Sequence, residues 1–211
     1  LFDLDGTLAD TALDLAAALN QLRIEEGLPA LSVAALRPYI SQGVRGLLQA
    51  GMSMSTDHPQ QEEFAERVLV HYANNICVHT TLFPGISALL NTLEQRGIAW
   101  GIVTNKRSRF TTPLVAALGL TQRAASVVSG DTAARPKPAP DPLLHACEET
   151  GIAPAACLYA GDDRRDIIAG RTAGMRTLAT AWGYLGVDDP IENWGADHII
   201  NEPAEVLAYL S

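Results

Sequence analysis

The chain contains very little lysine and carries a large excess of negative charge. Lysine occurs at only two positions, Lys106 and Lys137, and the other 13 of the 15 basic residues are arginine. With 24 acidic residues, the formal net charge is −9 at pH 7. Such a surface repels nucleic acid and anionic membranes, so we expect neither as a partner. An acidic protein that handles an anionic substrate must concentrate its positive charge locally, so each lysine deserves inspection.

Long apolar runs and clustered cysteines are also absent. No stretch approaches the roughly 18 apolar residues of a membrane-spanning helix. The three cysteines are odd in number, far apart and match no metal-binding spacing, which is typical of reduced thiols in the cytoplasm. The first residues are rich in Asp and do not resemble a signal peptide. We therefore expect a cytoplasmic protein, and we expect a few residues to precede Leu1, because the chain opens inside an apolar run.

Short apolar runs alternate with helical patterns over most of the chain. Each run is followed by a polar or glycine-containing turn and then by a helical pattern. Runs rich in β-branched residues that alternate with helices favour a parallel sheet with helices on both faces. We therefore predict an α/β fold, whose strands lie at residues 1–2, 98–103, 126–129, 157–160, 177–181 and 198–200.

Residues 14–80 interrupt this alternation. They contain four helical patterns but no convincing strand, and the first of these patterns ends at Gly27. An all-helical insert between the first and second strands of an α/β sheet is typical of a separate lid. We therefore predict two domains, a core of residues 1–13 and 81–211 and a helical cap of residues 14–80.

Two aspartates follow directly after the first apolar run, in the segment Asp3-Leu4-Asp5-Gly6-Thr7. They are predicted to lie at the carboxyl end of a strand, where open α/β sheets bind their ligands. Two carboxylates two residues apart in a strand are expected to point the same way, and Gly6 then lets the chain turn. A lone Asp-x-Asp is often a solvated turn, but this longer motif after an apolar strand favours a functional site.

Three further polar segments follow predicted strands. Thr104 and Asn105 end one of them and can donate hydrogen bonds to phosphate oxygens. Lys137 stands in a loop that prolines stiffen on both sides, which suits an ammonium held ready for a phosphoryl group. The last segment has more aspartates than a helix N-cap requires, namely Asp162, Asp163 and Asp166. Asp162 and Asp166 are four residues apart and share a side if a helix begins there.

Because the carboxyl ends of parallel strands share one edge of the sheet, these groups are predicted to converge. Five carboxylates would then crowd one small site, and like charges ~4 Å apart repel by several kcal/mol at moderate dielectric. Such a cluster needs a cation, and oxygen ligands with few protein groups suit Mg²⁺.

Metal, phosphate and a free carboxylate together predict phosphoryl transfer. One aspartate attacks phosphorus and forms an aspartyl phosphate, and another moves the protons of the leaving oxygen and of the attacking water. Thr104 and Lys137 hold the phosphate oxygens.

Together these segments resemble the four ordered motifs of the haloacid dehalogenase superfamily phosphatases. The resemblance runs over essentially the whole chain, including the position of the helical insert. It implies a Rossmann-like core with a helical cap, Asp3 as the nucleophile and Asp5 as general acid and base. It also implies Mg²⁺ held by Asp3, by the backbone carbonyl of Asp5 and by Asp162, with Asp163 and Asp166 as supporting groups.

Within the superfamily, the chain is similar to bacterial phosphoglycolate phosphatases in residues 83–85 and in the proline loop of Lys137. Residues 182–184 and 193–197 are similar to N-acetylmuramic acid 6-phosphate phosphatases of cell-wall recycling. The resemblance therefore implies a small phosphorylated metabolite as substrate, with 2-phosphoglycolate as the expected ester and N-acetylmuramic acid 6-phosphate as the alternative.

The helical insert is expected to select the substrate. Gly43 and Arg45 lie in a glycine-rich stretch that opens a predicted helix, and Arg45 could reach a carboxylate or sugar oxygen. An exposed helix arginine is the competing interpretation. A monomer and a homodimer both remain open.

Other roles on the same fold differ in the residues that they need. A dehalogenase does not need Asp5, because a halide leaves without a proton. A phosphonate hydrolase needs a lysine in the insert, and residues 14–80 contain none. A sugar phosphomutase shares the motifs but keeps phosphate on its substrate. A non-catalytic binding module is expected to have lost a nucleophile, a metal ligand or the lysine, and none is lost here.

Overall fold

The computed structural model describes residues 1–187 and 189–210. These residues contain seven short strands: β1 (Ala9–Asp10), β2 (Thr81–Leu82), β3 (Ile102–Val103), β4 (Val127–Val128), β5 (Leu158–Gly161), β6 (Arg176–Thr180) and β7 (His198–Ile200). The same residues contain eight α-helices, and none of these is long and apolar enough to cross a membrane: α1 (Ala12–Glu25), α2 (Val33–Leu36), α3 (Gly43–Met52), α4 (Gln61–Asn74), α5 (Ile86–Gln95), α6 (Ser108–Ala117), α7 (Asp141–Thr150) and α8 (Arg164–Thr172).

The parallel sheet has the strand order of a doubly wound fold. β3 pairs with β4, β5 pairs with β6, and β6 pairs with β7, all in parallel. Phe2 joins the two groups, because it bridges Ile102 of β3 on one side and Ala160 of β5 on the other. The first segment of the chain therefore lies at the centre of the sheet, where strand order reverses and such sheets bind ligands. The predicted α/β fold with a parallel sheet is confirmed.

Successive residues of the strands face two separate parts of the core. Ile102 of β3 packs in the same apolar cluster as Leu89 of α5. Its neighbour Val103 packs in another cluster, with Leu143 of α7. Because side chains alternate across a strand, helices cover both faces of the sheet, and each fully buried leucine there contributes roughly 1.5–3 kcal/mol relative to exposure.

The segment between β1 and β2 is helical, as its sequence pattern indicates. It contains α1 to α4 and a 3₁₀ helix (Arg37–Gln42), and the structure describes no strand in residues 12–74. Ser32 caps α2 by accepting a hydrogen bond from Ala35 N at 3.3 Å. The helices pack on one another through fully buried apolar residues, among them Leu19, Leu22, Leu47, Leu48 and Val68.

The two passages of the chain between the sheet and this helical segment are tied together. β1 pairs with β2 in antiparallel orientation. Asp14, in the first turn of α1, is buried and accepts hydrogen bonds from His79 N, Thr80 N and Thr80 Oγ1 at 2.9, 2.9 and 2.7 Å. No sequence pattern predicted β1 or β2, because two residues are too few to show a period.

Candidate active site

Asp3 stands at the carboxyl end of the central segment of the sheet. Its backbone N–H donates to Ala160 O at 2.9 Å, and the carbonyl of the preceding Phe2 accepts from Val103 N at 2.9 Å. Neighbouring strands on both sides therefore fix the backbone that carries this carboxylate. Only 9% of Asp3 is exposed, so its charge depends on the groups packed around it.

The Lys137 ammonium is the centre of the contacts around Asp3. Its Nζ lies 2.8 Å from Asp3 Oδ1 and 2.6 Å from Asp166 Oδ1. It also lies 3.0 Å from Val103 O and 2.7 Å from the Tyr159 hydroxyl. Burial alone would lower the pKa of Lys137. Asp166 and Asp3 raise it by more than burial lowers it, so the pKa lies above its ordinary value. Lys137 therefore stays charged and offsets buried negative charge.

Asn105 holds the Lys137 loop in place. Its Nδ2 donates to Lys137 O and its Oδ1 accepts from Lys137 N, both at 2.9 Å. The side chain that we expected to face phosphate thus faces the Lys137 backbone, which offers both a donor and an acceptor. Thr104 is buried beside it, and its Oγ1 accepts from Lys106 N at 3.2 Å, so its own proton can be donated to a ligand.

Three aspartates form one buried acidic cluster. One carboxylate oxygen from each of Asp3, Asp162 and Asp166 lies within 4.8 Å of the others. Burial raises the pKa of Asp3 to about 7; Asp166 adds to this rise, and Lys137 opposes it. Burial also raises the pKa of Asp162 well above its ordinary value, with contributions from Asp3 and Asp166. The one Lys137 ammonium cannot balance three carboxylates, and the all-oxygen donors of the cluster fit a divalent cation such as Mg²⁺.

Asp162 is oriented by contacts from three parts of the chain. It accepts hydrogen bonds from Thr7 Oγ1 at 3.0 Å, from Tyr184 N at 2.9 Å and from Ser41 Oγ at 3.1 Å. Gly6 passes close by with φ +87°, and a Cβ at this position would overlap the Asp162 carboxylate. The glycine of the first motif is therefore required by the approach of Asp162 as well as by the turn.

Asp162 and Asp166 reach the cluster from different elements. β5 ends at Gly161, so Asp162 directly follows the strand, whereas α8 begins at Arg164 and holds Asp166 in its first turn. Asp166 Oδ2 accepts from Asp163 N at 3.1 Å, which completes a capping box. We expected Asp162 and Asp166 to share one face of a helix. They are instead brought together by the turn between β5 and α8.

The other two aspartates of the expected five are paired with basic side chains. Asp5 Oδ1 lies 2.8 Å from Lys106 Nζ and accepts from Thr11 Oγ1 at 2.6 Å. Asp163 Oδ1 accepts from Arg165 N and Arg165 Nε, both at 2.8 Å. The structure therefore gathers three carboxylates and not five. The chain turns at Leu4 instead of continuing as a strand, and Asp5 contacts Lys106 instead of joining the cluster.

A cavity of about 320 Å³ lies over Asp3, Asp5, Thr104 and Lys137. Phe110 of α6 supplies one apolar residue of its lining, and the helical segment supplies the others, which are Leu15, Ile40, Val44, Val68, Leu69 and Tyr72.

The cavity shows which residues of the helical segment can meet a ligand. Gly43 belongs to its lining, as expected, but Arg45 does not, and the Arg45 side chain is exposed. Lys106, Arg107 and Arg165 are the basic residues that line it together with Lys137, and our site prediction did not include them. The sequence could have indicated these residues, because Lys106 and Arg107 directly follow Asn105 and Arg165 stands between Asp163 and Asp166.

Comparisons with known proteins relate the chain to one family. Residues 1–180 match the family model described as haloacid dehalogenase-like hydrolase. The chain is 40% identical to N-acetylmuramic acid 6-phosphate phosphatase of Pseudomonas aeruginosa, over 100% of this chain and 93% of the relative. It is 42% identical to phosphoglycolate phosphatase of Xanthomonas campestris, over 98% and 93%. A crystal structure of a predicted phosphoglycolate phosphatase from Haemophilus somnus matches with a TM-score of 0.86 at 26% identity, over 100% of this chain and 96% of that one.

Proposed function

We propose that the chain hydrolyses a small phosphorylated metabolite through an aspartyl phosphate on Asp3. The chain belongs to the haloacid dehalogenase-like hydrolase family and is a phosphatase. The observation that carries the proposal is the set of contacts around Asp3. Lys137 Nζ lies 2.8 Å from its carboxylate, and Asp162 and Asp166 complete a cluster within 4.8 Å. A buried carboxylate, a fixed ammonium and an oxygen-lined cation site suit phosphoryl transfer.

The proposed cofactor is Mg²⁺. Asp3, Asp162 and the backbone carbonyl of Asp5 would hold it, with Asp166 and Asp163 in support. The raised pKa values of Asp3 and Asp162 support a site that needs positive charge. When bound, Mg²⁺ supplies the charge that offsets repulsion between the nucleophilic carboxylate and the phosphate.

The proposed reaction has two halves. In the first, an Asp3 oxygen attacks phosphorus, the bond from phosphorus to the ester oxygen breaks, and Asp5 gives a proton to that oxygen. In the second, Asp5 takes a proton from a water that attacks the aspartyl phosphate, which frees phosphate and restores Asp3. Thr104 and Lys137 are proposed to hold the phosphate oxygens in both halves.

We propose that residues 14–80 act as a cap on a core of residues 1–13 and 81–211. The apolar cavity wall that the helical segment supplies supports this role. Cover from the cap would exclude bulk water from the reacting groups. Gly43 remains a proposed substrate contact, whereas the exposed Arg45 gains no support from the cavity.

For the substrate, 2-phosphoglycolate is the first candidate, because several relatives carry the name phosphoglycolate phosphatase. N-acetylmuramic acid 6-phosphate is the second, and the cavity favours it. A volume of about 320 Å³ with apolar residues on the cap side exceeds what the two-carbon glycolate fills. An acetylated amino sugar with a lactyl group would use both the room and the apolar wall.

The test is phosphate release from the two esters in parallel, with Mg²⁺ and with EDTA, and with Asp3→Asn as the control. We expect the parent protein to release phosphate from at least one ester when Mg²⁺ is present. We expect no release in EDTA and none from the Asp3→Asn variant. A parent protein that releases phosphate from neither, or an Asp3→Asn variant as active as the parent, would contradict the proposal. Phosphate that moves to another position of a sugar without release would indicate a phosphomutase.

We further propose that the protein works in the cytoplasm, as a monomer or a homodimer. The three cysteines are all free thiols, even though the Sγ atoms of Cys147 and Cys157 lie only 3.9 Å apart, and this supports a reducing compartment. Sedimentation of the purified protein would distinguish the two oligomeric states.

A further inference from the structure

Each of the two lysines of the chain is paired with one aspartate of the first motif. Lys137 Nζ lies 2.8 Å from Asp3 Oδ1, and Lys106 Nζ lies 2.8 Å from Asp5 Oδ1. The reaction proposed above gives Lys137 a role at the phosphate but leaves Lys106 unused. Lys106 nevertheless contacts Asp5, the residue proposed to move protons.

The Lys106–Asp5 pair is shielded from solvent. The Lys106 side chain is 9% exposed and the Asp5 side chain 16%. A second group, the Thr11 hydroxyl, donates to the same Asp5 oxygen at 2.6 Å. Two donors on the same oxygen restrict the Asp5 carboxyl group to one geometry.

The cap supplies the surface against which Lys106 rests. Its ammonium lies 4.7 Å from the ring centroid of Tyr72, in α4 of the helical segment, which is within cation–π distance. Tyr72 is itself packed against Phe110, with 5.6 Å between ring centroids. The Tyr72 hydroxyl is buried beside Lys106 as well, so Tyr72 faces the ammonium with both its ring and its hydroxyl.

We propose that Lys106 and Tyr72 are positioning residues that hold the Asp5 carboxyl group towards the ester oxygen, so that the seated cap sets the proton-transfer geometry. The inference rests on the proposed phosphatase reaction and adds two residues to it. Asp5 contacts the leaving oxygen, Lys106 fixes Asp5, and Tyr72 fixes Lys106 from the cap.

The step that depends on this geometry is the first half of the reaction. The bond from phosphorus to the ester oxygen breaks, its electron pair stays on that oxygen, and the Asp5 proton moves to it while Asp3 bonds to phosphorus. An alkoxide is a poor leaving group and needs this proton. A nitrophenolate leaves without one, so a misplaced Asp5 should slow alkyl esters selectively.

The test compares Lys106→Met with the parent on an alkyl ester and on p-nitrophenyl phosphate. The alkyl ester is whichever of 2-phosphoglycolate and N-acetylmuramic acid 6-phosphate the parent hydrolyses. The measured quantity is kcat/KM, which reports the steps up to loss of the leaving group. General acid catalysis contributes ~10²–10⁴-fold, so we expect kcat/KM to fall at least about tenfold more on the alkyl ester than on p-nitrophenyl phosphate.

Two Tyr72 variants test the contribution of the cap. Tyr72→Phe keeps the ring and loses only the hydroxyl, so its selective loss on the alkyl ester should be smaller than that of Tyr72→Leu. Tyr72→Leu removes the ring and should show the same selective loss as Lys106→Met, to a smaller degree. Arg109→Met is the matched control, because this exposed arginine of α6 pairs with Glu66 of the cap at 3.0 Å but does not line the cavity. It should leave the ratio of the two kcat/KM values unchanged.

Equal losses on the two esters, or no loss in Lys106→Met, would overturn the inference and leave the phosphatase proposal intact. A selective loss in Lys106→Met that is absent from Tyr72→Leu would overturn the part assigned to the cap. A parent protein that hydrolyses none of the esters would instead refute the proposed function. Circular dichroism of each variant establishes folding, and Lys106→Gln replaces Lys106→Met if the latter does not fold.

Discussion

Ser41 Oγ donates a hydrogen bond to Asp162 Oδ2 at 3.1 Å, although 121 residues separate the two along the chain. Ser41 belongs to the 3₁₀ helix of the helical segment, and Asp162 follows β5 at the edge of the sheet. The Ser41 carbonyl also accepts a hydrogen bond from Arg165 Nη2. One residue of the helical segment therefore touches the acidic cluster and the helix that follows it, which couples the place of the segment to the geometry of the cluster.

Replacing Ser41 with Ala should weaken this coupling without dismantling the cluster, because Asp162 keeps Thr7 and Tyr184 as donors. We expect the unfolding free energy to fall by ~1 kcal/mol, since the lost hydrogen bond goes to a carboxylate in a partly buried position. Urea unfolding of the metal-free protein measures the change. Ser55→Ala, at an exposed position of the same segment, should stay within about 0.5 kcal/mol of the parent. A Ser41→Ala variant as stable as this control would contradict the coupling.

The acidic cluster should make the metal-free protein less stable as the pH rises. Burial raises the pKa of Asp3 from 3.8 to about 7, so the folded state binds this proton more tightly than the unfolded state. The stabilisation is therefore fully present below the unfolded pKa and is lost as the pH rises towards the folded pKa. We expect the unfolding free energy of the parent in EDTA to fall between about pH 4 and pH 7. The fall should be smaller in the Asp3→Asn variant.

Comparing the parent with Asp3→Asn separates this effect from the other titrating groups. Asparagine cannot ionise, so the difference between the two unfolding free energies reports the Asp3 carboxyl group together with its effect on Asp162. The difference should change steadily over the interval and level off above about pH 7. Parallel curves for the two proteins would show that burial of Asp3 does not disfavour its charge.

Magnesium should counter the same loss of stability. The cation binds carboxylates only after their protons have left, so its stabilising effect should grow as the pH rises. We expect added Mg²⁺ to raise the midpoint of thermal unfolding more near pH 8 than near pH 5. Asp162→Asn should lose most of this increase, and Asp57→Asn, at an exposed position, should keep it. An increase that is the same at both pH values would point to non-specific screening.

Asn105 should matter for activity through the loop that it holds. Asn105→Ala removes the two 2.9 Å hydrogen bonds to the Lys137 backbone, so only the flanking prolines and the contacts of Nζ itself then place the ammonium. A displacement of about 1 Å in a positioned group can cost ~10²-fold in rate, so we expect kcat/KM to fall roughly 10- to 100-fold. Steady-state hydrolysis of the preferred ester measures this, with Asn91→Ala on the exposed side of α5 as the control. An unchanged kcat/KM would show that the prolines and the contacts of Nζ place Lys137 without Asn105.

The parallel sheet and the acidic cluster could be predicted from the sequence for the same reason. Each strand is an apolar run followed by a polar turn, and parallel strands bring those turns to one edge, so Asp3, Lys137 and Asp162 were found together. The pairing of Asp5 with Lys106 depends on how the chain turns after the first strand, and no spacing rule predicts that direction. β1 and β2 depend on contact between segments far apart in the chain, which no local pattern records.

Asp14 should be the residue whose loss most disturbs the junction between the sheet and the helical segment. Its buried carboxylate accepts hydrogen bonds from two backbone amides and one hydroxyl, those of His79 and Thr80, at 2.7–2.9 Å. Asp14→Ala leaves these donors unpaired beside the β1–β2 pair, so we expect it to lower the unfolding free energy by ~3 kcal/mol. Urea unfolding measures the change, and Asp57→Ala, at an exposed position, is the matched control and should change it by less than about 0.5 kcal/mol. If Asp14→Ala were as stable as Asp57→Ala, the antiparallel pair alone would hold the junction, and the role assigned to Asp14 would be wrong.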